Sequence, residues 1–372
     1  MRTTAHPGTP GRVRLTAAGP GAQSTPRATR RISLRLASVL LVILTPVVVA
    51  LAVALGPVTI APGDVVSIVL HHLFGAAPTA AAVDDHIVWE FRVPRVLLSL
   101  LAGAALAVAG AVLQTVIRNP LADPYVLGIA SGASLGAVSV LVLGATGAGF
   151  LASLGVSGAA FAGAVVTLAI VLALGRRHGR LDPPRLILSG VAVTYLFQAG
   201  TSFLQLTASP DKLSTVLFWL LGSVAGAKWS ELAVPAVAVV LCLGWLLGQG
   251  RRLNALMMGD DVASALGIDL GRFRTVLLVI CALLTALVVA VAGGVGFVGL
   301  IAPHFVRLLS GSNHLRSLPL TSLVGGLFLV VADLAGRTVA APLELPLSVI
   351  TAAVGVPVFL FALLRRRPGV PA

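Results

Sequence analysis

Charge is scarce in this chain, and lysine is scarcer still. Only 10% of its 372 residues are Asp, Glu, Lys or Arg, while 57% are hydrophobic. A soluble domain has no interior large enough to hide that much apolar surface, so the composition points to an all-α polytopic membrane protein. The two lysines, Lys212 and Lys228, stand in no GxxxxGK[ST] context, so no phosphate-cradling loop of that kind is present. Cys242 and Cys281 both fall in apolar segments, which argues against a disulfide framework or a metal site. No Ser/His pair, paired Asp or HExxH lies within a span, which removes the usual marks of an intramembrane enzyme. Glu344, Asp333 and Asp123 sit near expected helix ends, not mid-membrane. The carboxylate chain of a proton-coupled carrier is therefore missing, which argues against a secondary carrier working without an ATPase.

What is present is a series of long apolar runs. Ten spans are expected, at 34–55, 95–117, 125–145, 150–174, 187–207, 231–249, 274–292, 295–311, 320–337 and 346–364. An even number puts both termini on one side. With the N-terminus inside, 21 of the 26 basic residues lie inside and 5 lie outside, which is the positive-inside pattern. The net charge of +13 thus reflects membrane orientation and not a nucleic-acid partner. Residues 1–31 hold arginines and no acidic residue, and read as a disordered basic tail on the cytoplasmic side. Thr29-Arg30-Arg31-Ile32-Ser33-Leu34 loosely resembles a twin-arginine signal. The apolar stretch after it is long and lacks a cleavage site, so an uncleaved first span is expected. Among the 40 glycines, Gly128, Gly132 and Gly136 form two overlapping GxxxG steps, a pattern for close helix packing.

Several segments carry more than span signals. Arg92-Val93-Pro94-Arg95 opens an uncharged run to Ile117, which closes on Arg118-Asn119-Pro120-Leu121-Ala122-Asp123-Pro124. Pro62 and Asp64 are helix-start residues, and Val65, Ile68, Val69 and Leu73 predict a short surface helix after the first span. The adjacent His71 and His72 point to different faces of that helix. From Arg251 to Ile268, Leu253, Leu256 and Met257 predict one amphipathic helix broken by Gly259. Asp260 or Asp261 would cap a second helix bearing Val262, Ala265 and Leu266. Such a pair on an inside loop would either dock a soluble partner or lie on the membrane surface. On the fifth span Tyr195, Gln198, Thr201, Ser202 and Gln205 are costly facing lipid, so protein or water is expected beside them.

These segments together resemble the FecCD family of ABC-importer permeases. The match runs through RVPRVLLSLLAGAALAVAGAVLQTVIRNPLADPYVLGIASGASLGA from Arg92 and LNALMMGDDVASALGI from Leu253. It continues through GGVGFVGLIAPHFVRLL from Gly293 and ADLAGRTVAAPLELPLSVITAAVGVPVFLFALL from Ala332. The resemblance implies a type II importer permease fold over 32–367, with 368–372 as a C-terminal tail, in the bacterial cytoplasmic membrane. It implies a transporter subunit, not an enzyme, with no cofactor of its own; ATP and Mg would sit on a separate ABC ATPase subunit. It further implies an extracytoplasmic substrate-binding protein, and a second permease, either a homodimer copy or a paralogue. A ferric siderophore is the expected cargo, with cobalamin or haem as alternatives.

The resemblance also assigns residues. Arg92, Arg95 and Arg337 would contact acidic residues of the binding protein, where the guanidinium fork suits carboxylates. Leu253, Asn254, Ala255, Leu256, Met257, Gly259, Asp260, Asp261, Ala263, Leu266 and Gly267 would form the coupling loop on the ATPase. The turn at Asp182, Pro183 and Pro184 would be the inner gate, although other members carry small hydroxyl residues there. The fifth and tenth spans would line the pathway, so Tyr195, Gln198, Thr201, Ser202 and Gln205 are its candidate lining. His304 recurs in the family, with a structural role expected.

Overall fold

The computed structural model describes residues 34–56, 58–75, 80–147, 154–177 and 180–364. The basic tail, the last residues and the start of the expected fourth span lie outside them. Every expected span is a helix. The helices are α1 (Leu34–Ala54), α2 (Pro62–Phe74), α3 (Ala82–His86), α4 (Val93–Ile117), α5 (Ile129–Gly147), α6 (Gly155–Leu174), α7 (Pro183–Thr207) and α8 (Pro210–Leu221). They continue as α9 (Ala233–Gly248), α10 (Gly250–Met258), α11 (Asp260–Ala265), α12 (Leu270–Ala292), α13 (Val298–Ser310), α14 (His314–Thr338) and α15 (Leu347–Leu364). Among the described residues, six helices are long and apolar enough to cross a membrane and four shorter ones are apolar, together the ten of the sequence pattern. One two-residue hairpin, β1 (Arg176–Arg177) and β2 (Arg180–Leu181), joins α6 to α7.

Two departures from expectation have identifiable reasons. The second span starts well before residue 95. A π-turn, Ile87–Arg92, links α3 to α4 in one continuous helix, and its wide turn absorbs the missing N–H of Pro94. Helix α8 falls in what the hydropathy pattern leaves as a connection. Its start signals are nonetheless local: Ser209 precedes it, Pro210 is its first residue and Asp211 is in its first turn. It packs Val216 against Val138 and Val142 of α5, and Lys212 Nζ donates to the Val142 carbonyl at 2.7 Å. Helix α2 begins at Pro62 as expected and buries Val65 and Ile68, while Leu73 stays exposed.

Helix α4 is the centre of the bundle. It packs on α14, α12, α13, α9, α10 and α1. Its residues from Ala102 to Val116 are all buried. Few side chains along it are large, so its backbone meets its neighbours directly. A Cβ at Gly103 would overlap the Gly325 carbonyl of α14, and one at Gly110 would overlap the Gly299 carbonyl of α13. Gly132 and Gly136 play the same part between α5 and α6, against Gly163 and Ala159. Gly128 lies outside that helix. It has φ 72° and ends the 3₁₀ turn Pro124–Leu127, close to Gly190 of α7.

Gly110→Ala is expected to lower the thermal midpoint of the purified protein, at an overpacking cost of about 1–3 kcal/mol. Gly244→Ala on α9, where a Cβ meets nothing within 4 Å, should leave the midpoint unchanged or raise it. A thermal-shift comparison of the two variants checks both.

Candidate functional site

Many of the candidate residues collect at the two ends of α4. At its first end, five charged side chains gather. The Nε atom of Arg95 donates to Asp333 Oδ1 at 2.9 Å, and its two Nη atoms donate to Glu344 at 3.0 and 3.2 Å. Asp333 and Arg337 lie one turn apart on α14, 3.6 Å from each other. Arg92 comes from the π-turn, and its Nη1 donates to the carbonyls of Val53 at 3.0 Å and Ala54 at 2.7 Å; its Nη2 donates to Val58. Arg337 Nη2 donates to the Ala52 carbonyl at 2.6 Å. Thus Arg92 and Arg337 together close the last carbonyls of α1, which no intrahelical donor reaches.

This corrects the expectation that all three arginines face a partner. Arg337 lies within α14, not in a loop, and is 2% exposed; Arg92 is 5% exposed. A charge this far inside needs its partners in place, and the α1 carbonyls and Asp333 supply them. Only the Arg95–Glu344 pair reaches the surface, through the half-exposed Glu344.

The other end of α4 meets α10 and α11. Leu253 and Leu256 of α10 are fully buried, so they anchor the helix and do not offer a docking face. Met258, Val262 and Leu266 face outward instead, at 74%, 41% and 66% exposure, with Met257 at the edge. Gly259 has φ 125° and separates the two helices, and Gly267, with φ 76°, ends α11. Ala255 and Ala263 are buried, and Asp261 is exposed. Neither aspartate caps α11. Gly259 occupies the cap position, and Asp260 receives both Nη atoms of Arg274 on α12, at 2.8 and 3.1 Å, together with Arg118 at the end of α4. The Arg118 backbone is left-handed, with φ 53°, which turns the chain out of the helix.

Asn254 proved more connected than its sequence context implied. Its Oδ1 accepts from the backbone N–H of His314 at 2.9 Å and lies 2.8 Å from His314 Nδ1. His314 Nε2 is 2.8 Å from the Thr115 hydroxyl of α4. No sequence signal pairs Thr115 with His314, since 199 positions separate them.

The Asp182-Pro183-Pro184 turn starts α7, with Asp182 at its cap position and Pro183 first in the helix. A groove of about 910 Å³ brings this turn against α11 and α12, lined by Asp182, Pro183, Asp260, Ser264, Asp269 and Arg274. Sequence alone leaves these segments unrelated. His304 lines a second, mostly apolar cavity of about 830 Å³, beside Phe305, Leu308 and Val358.

Along α7, Tyr195, Gln198 and Ser202 are exposed, and Gln205 is partly so. Their spacing puts them on one stripe, flanked by exposed Leu196, Phe203 and Leu206. Thr201 does not belong to it. It is 6% exposed, and its hydroxyl donates to Phe197 O in the same helix at 2.9 Å.

Asp123 caps the turn after α4 and accepts from the Tyr125 N–H at 2.9 Å. Burial pushes its carboxyl up to about 6 despite that hydrogen bond. The Tyr125 hydroxyl accepts the Val295 N–H at 2.6 Å.

Residues 41–365 match the family model described as the FecCD transport family. The chain is 41% identical over 294 residues to the cobalamin import system permease protein BtuC of Halobacterium salinarum, covering 79% of this chain and 76% of that protein. It is 38% identical over 282 residues to the Fe(3+) dicitrate transport system permease protein FecD of Escherichia coli, covering 76% of this chain and 86% of that protein. A solved structure described as a metal-chelate type ABC transporter in an inward-facing conformation superposes with a TM-score of 0.76. That alignment is 31% identical and covers 88% of this chain and 98% of that one.

Arg337→Met is expected to lower the thermal midpoint even with no partner present, because a charged hydrogen bond of about 1.5–3 kcal/mol is lost. The same measurement on Asp123→Asn tests the raised carboxyl. A folded pKa above the unfolded value means that stability rises as pH falls through about 6 toward 4. The midpoint of the unaltered protein should therefore gain on that of Asp123→Asn between about pH 7 and about pH 5.

Proposed function

This chain belongs to the FecCD transport family and is the permease subunit of an ABC importer; we propose that its cargo is a ferric siderophore complex. Membership implies an ATPase partner and a substrate-binding protein, so the chain is a transporter component and not a catalyst. Metal chelates recur among the likenesses: a ferric dicitrate permease, a cobalamin permease and a metal-chelate transporter. Cobalamin is the second reading, favoured by the 41% identical relative that carries its name.

In this reading α10 and α11 contact the ATPase on the cytoplasmic side, where most arginines lie. The observation that carries it is the outward row Met258, Val262 and Leu266, held on a loop whose other face is anchored in the core. An apolar row beside Asp261 offers an adaptable contact to a soluble protein. At the opposite surface the Arg95–Glu344 pair is the accessible charge for a binding protein, with Arg92 and Arg337 supporting it from beneath. A binding-protein carboxylate would compete with Glu344 for the Arg95 fork.

The stripe Tyr195, Gln198, Ser202 and Gln205 would be covered by a second permease copy, with the cargo pathway between the two. Polar groups directed at lipid are unfavourable, and α7 and α15 leave most of their surface uncovered within one chain. The Asp182-Pro183-Pro184 turn would close the pathway on the ATPase side, a reading supported by the groove it shares with α11. ATP and Mg act on the partner subunit.

Two measurements test the proposal. Met258→Asp with Leu266→Asp should abolish co-purification of the ATPase while the permease remains folded; retained co-purification would overturn the loop assignment. Uptake of radiolabelled ferric siderophores by a deletion strain should fall and return on complementation. Unchanged siderophore uptake together with lost cobalamin uptake would replace the first cargo with the second.

A further inference from the structure

We propose that His314 is a positioning residue that passes displacement of the α10–α11 loop to a rigid pair formed by α4 and α14. The inference rests on the loop contacting an ATPase, and it concerns how that contact is read inside the permease.

The hydrogen-bond chain has one consistent assignment. Asn254 Oδ1 already accepts the backbone N–H of His314, so it faces Nδ1 as an acceptor and Nδ1 must carry the hydrogen. That leaves Nε2 as the acceptor, and the single Thr115 hydroxyl hydrogen is shared between it, at 2.8 Å, and the Ala111 carbonyl of the same helix, at 2.9 Å. His314 is 4% exposed and Thr115 is 6% exposed. Both border the cavity of about 830 Å³ yet are themselves almost fully buried, so α10 cannot shift without breaking the chain or moving the imidazole. A second tether runs in parallel. Asp260 of α11 holds Arg118, one turn beyond Thr115, and Arg274 of α12. The two tethers therefore end on the same last turn of α4.

What they pull on is stiff. His314 is the first residue of α14, and α14 contacts α4 along its length. The two helices are joined at three levels. Thr115 meets His314 at the loop end, Gly103 and Gly325 meet backbone to backbone in the middle, and Arg95 meets Asp333 at the far end. A pair held at both ends and in the middle has little room to bend or slide, so motion entering at His314 leaves at Arg95. There the guanidinium also holds Glu344, the accessible group of the opposite surface. One continuous unit thus links the two surfaces that the proposed function assigns to the ATPase and the binding protein. Linkage makes such a connection reciprocal in binding, so docking at Arg95 would also be felt at Asn254.

The test uses the full transporter in nanodiscs, with the ATPase that co-purifies with this chain and its binding protein. The readout is the ratio of ATP hydrolysis with and without binding protein. Thr115→Val is expected to lower that ratio at least about fivefold while basal hydrolysis and ATPase retention persist. Thr115→Ser, which keeps the hydroxyl, should restore it. His314→Gln should give a similar loss, and combining it with Thr115→Val should add little, as expected for one shared chain. Thr201→Val removes a buried hydroxyl bonded within its own helix and should leave the ratio intact. An unchanged ratio in Thr115→Val overturns the proposal, as does a parallel fall of basal and stimulated rates, which marks a structural role only. If the unaltered chain retains no ATPase, the loop reading fails and the inference falls with it.

Discussion

Helix α4 must be held inside the bundle without charge along its buried length, and the rest of the structure follows from that constraint. Inside a membrane, apolar burial does not pull helices together, because lipid is as apolar as the helix. Close van der Waals contact must do it. Glycines at 103, 110, 299 and 325 bring the backbones of α4, α13 and α14 into contact. Such contacts tolerate almost no displacement, so polar groups fit only at the helix ends. There they form two clusters, Arg95 with Asp333 and Glu344, and Thr115 with His314 and Asn254.

The arginines at the first end show how one residue type serves two purposes. A guanidinium has five donors in a rigid fork, so it can satisfy several carbonyls at once. Arg92 and Arg337 use that capacity on the last turn of α1, whose carbonyls would otherwise be unmatched. Arg95 spends it on carboxylates, and one of those is near enough to the surface to be exchanged. Their shared charge sign, which groups them in the sequence, does not distinguish these uses; depth does.

The loop at the second end follows a similar division. Its buried leucines and Asn254 face the bundle, and its methionines and Leu266 face outward. A segment anchored on one side and exposed on the other can transmit force, whereas a loop lying free on the surface could not. The groove shared by α11 and the Asp182 turn adds that the proposed gate stands beside this segment.

The number and approximate limits of the spans were legible from sequence, because each is a long uncharged run and hydropathy is a local property. So were the break at Gly259 and the start at Pro62, which depend on backbone preferences of single residues. Helix α8 was missed because its apolar run is short, although Ser209, Pro210 and Asp211 mark its start. The family followed from motifs of high specificity, and the matched residues 41–365 agree with it. Which arginine is buried, which residue of 195–205 leaves the polar stripe, and what Asp260 holds were decided only by tertiary structure. Each depends on a partner far along the chain, such as Ala52 for Arg337 or Arg118 for Asp260. A sequence records the donor and the acceptor but not the distance between them, and the polar chemistry of this protein consists of such long-range pairs.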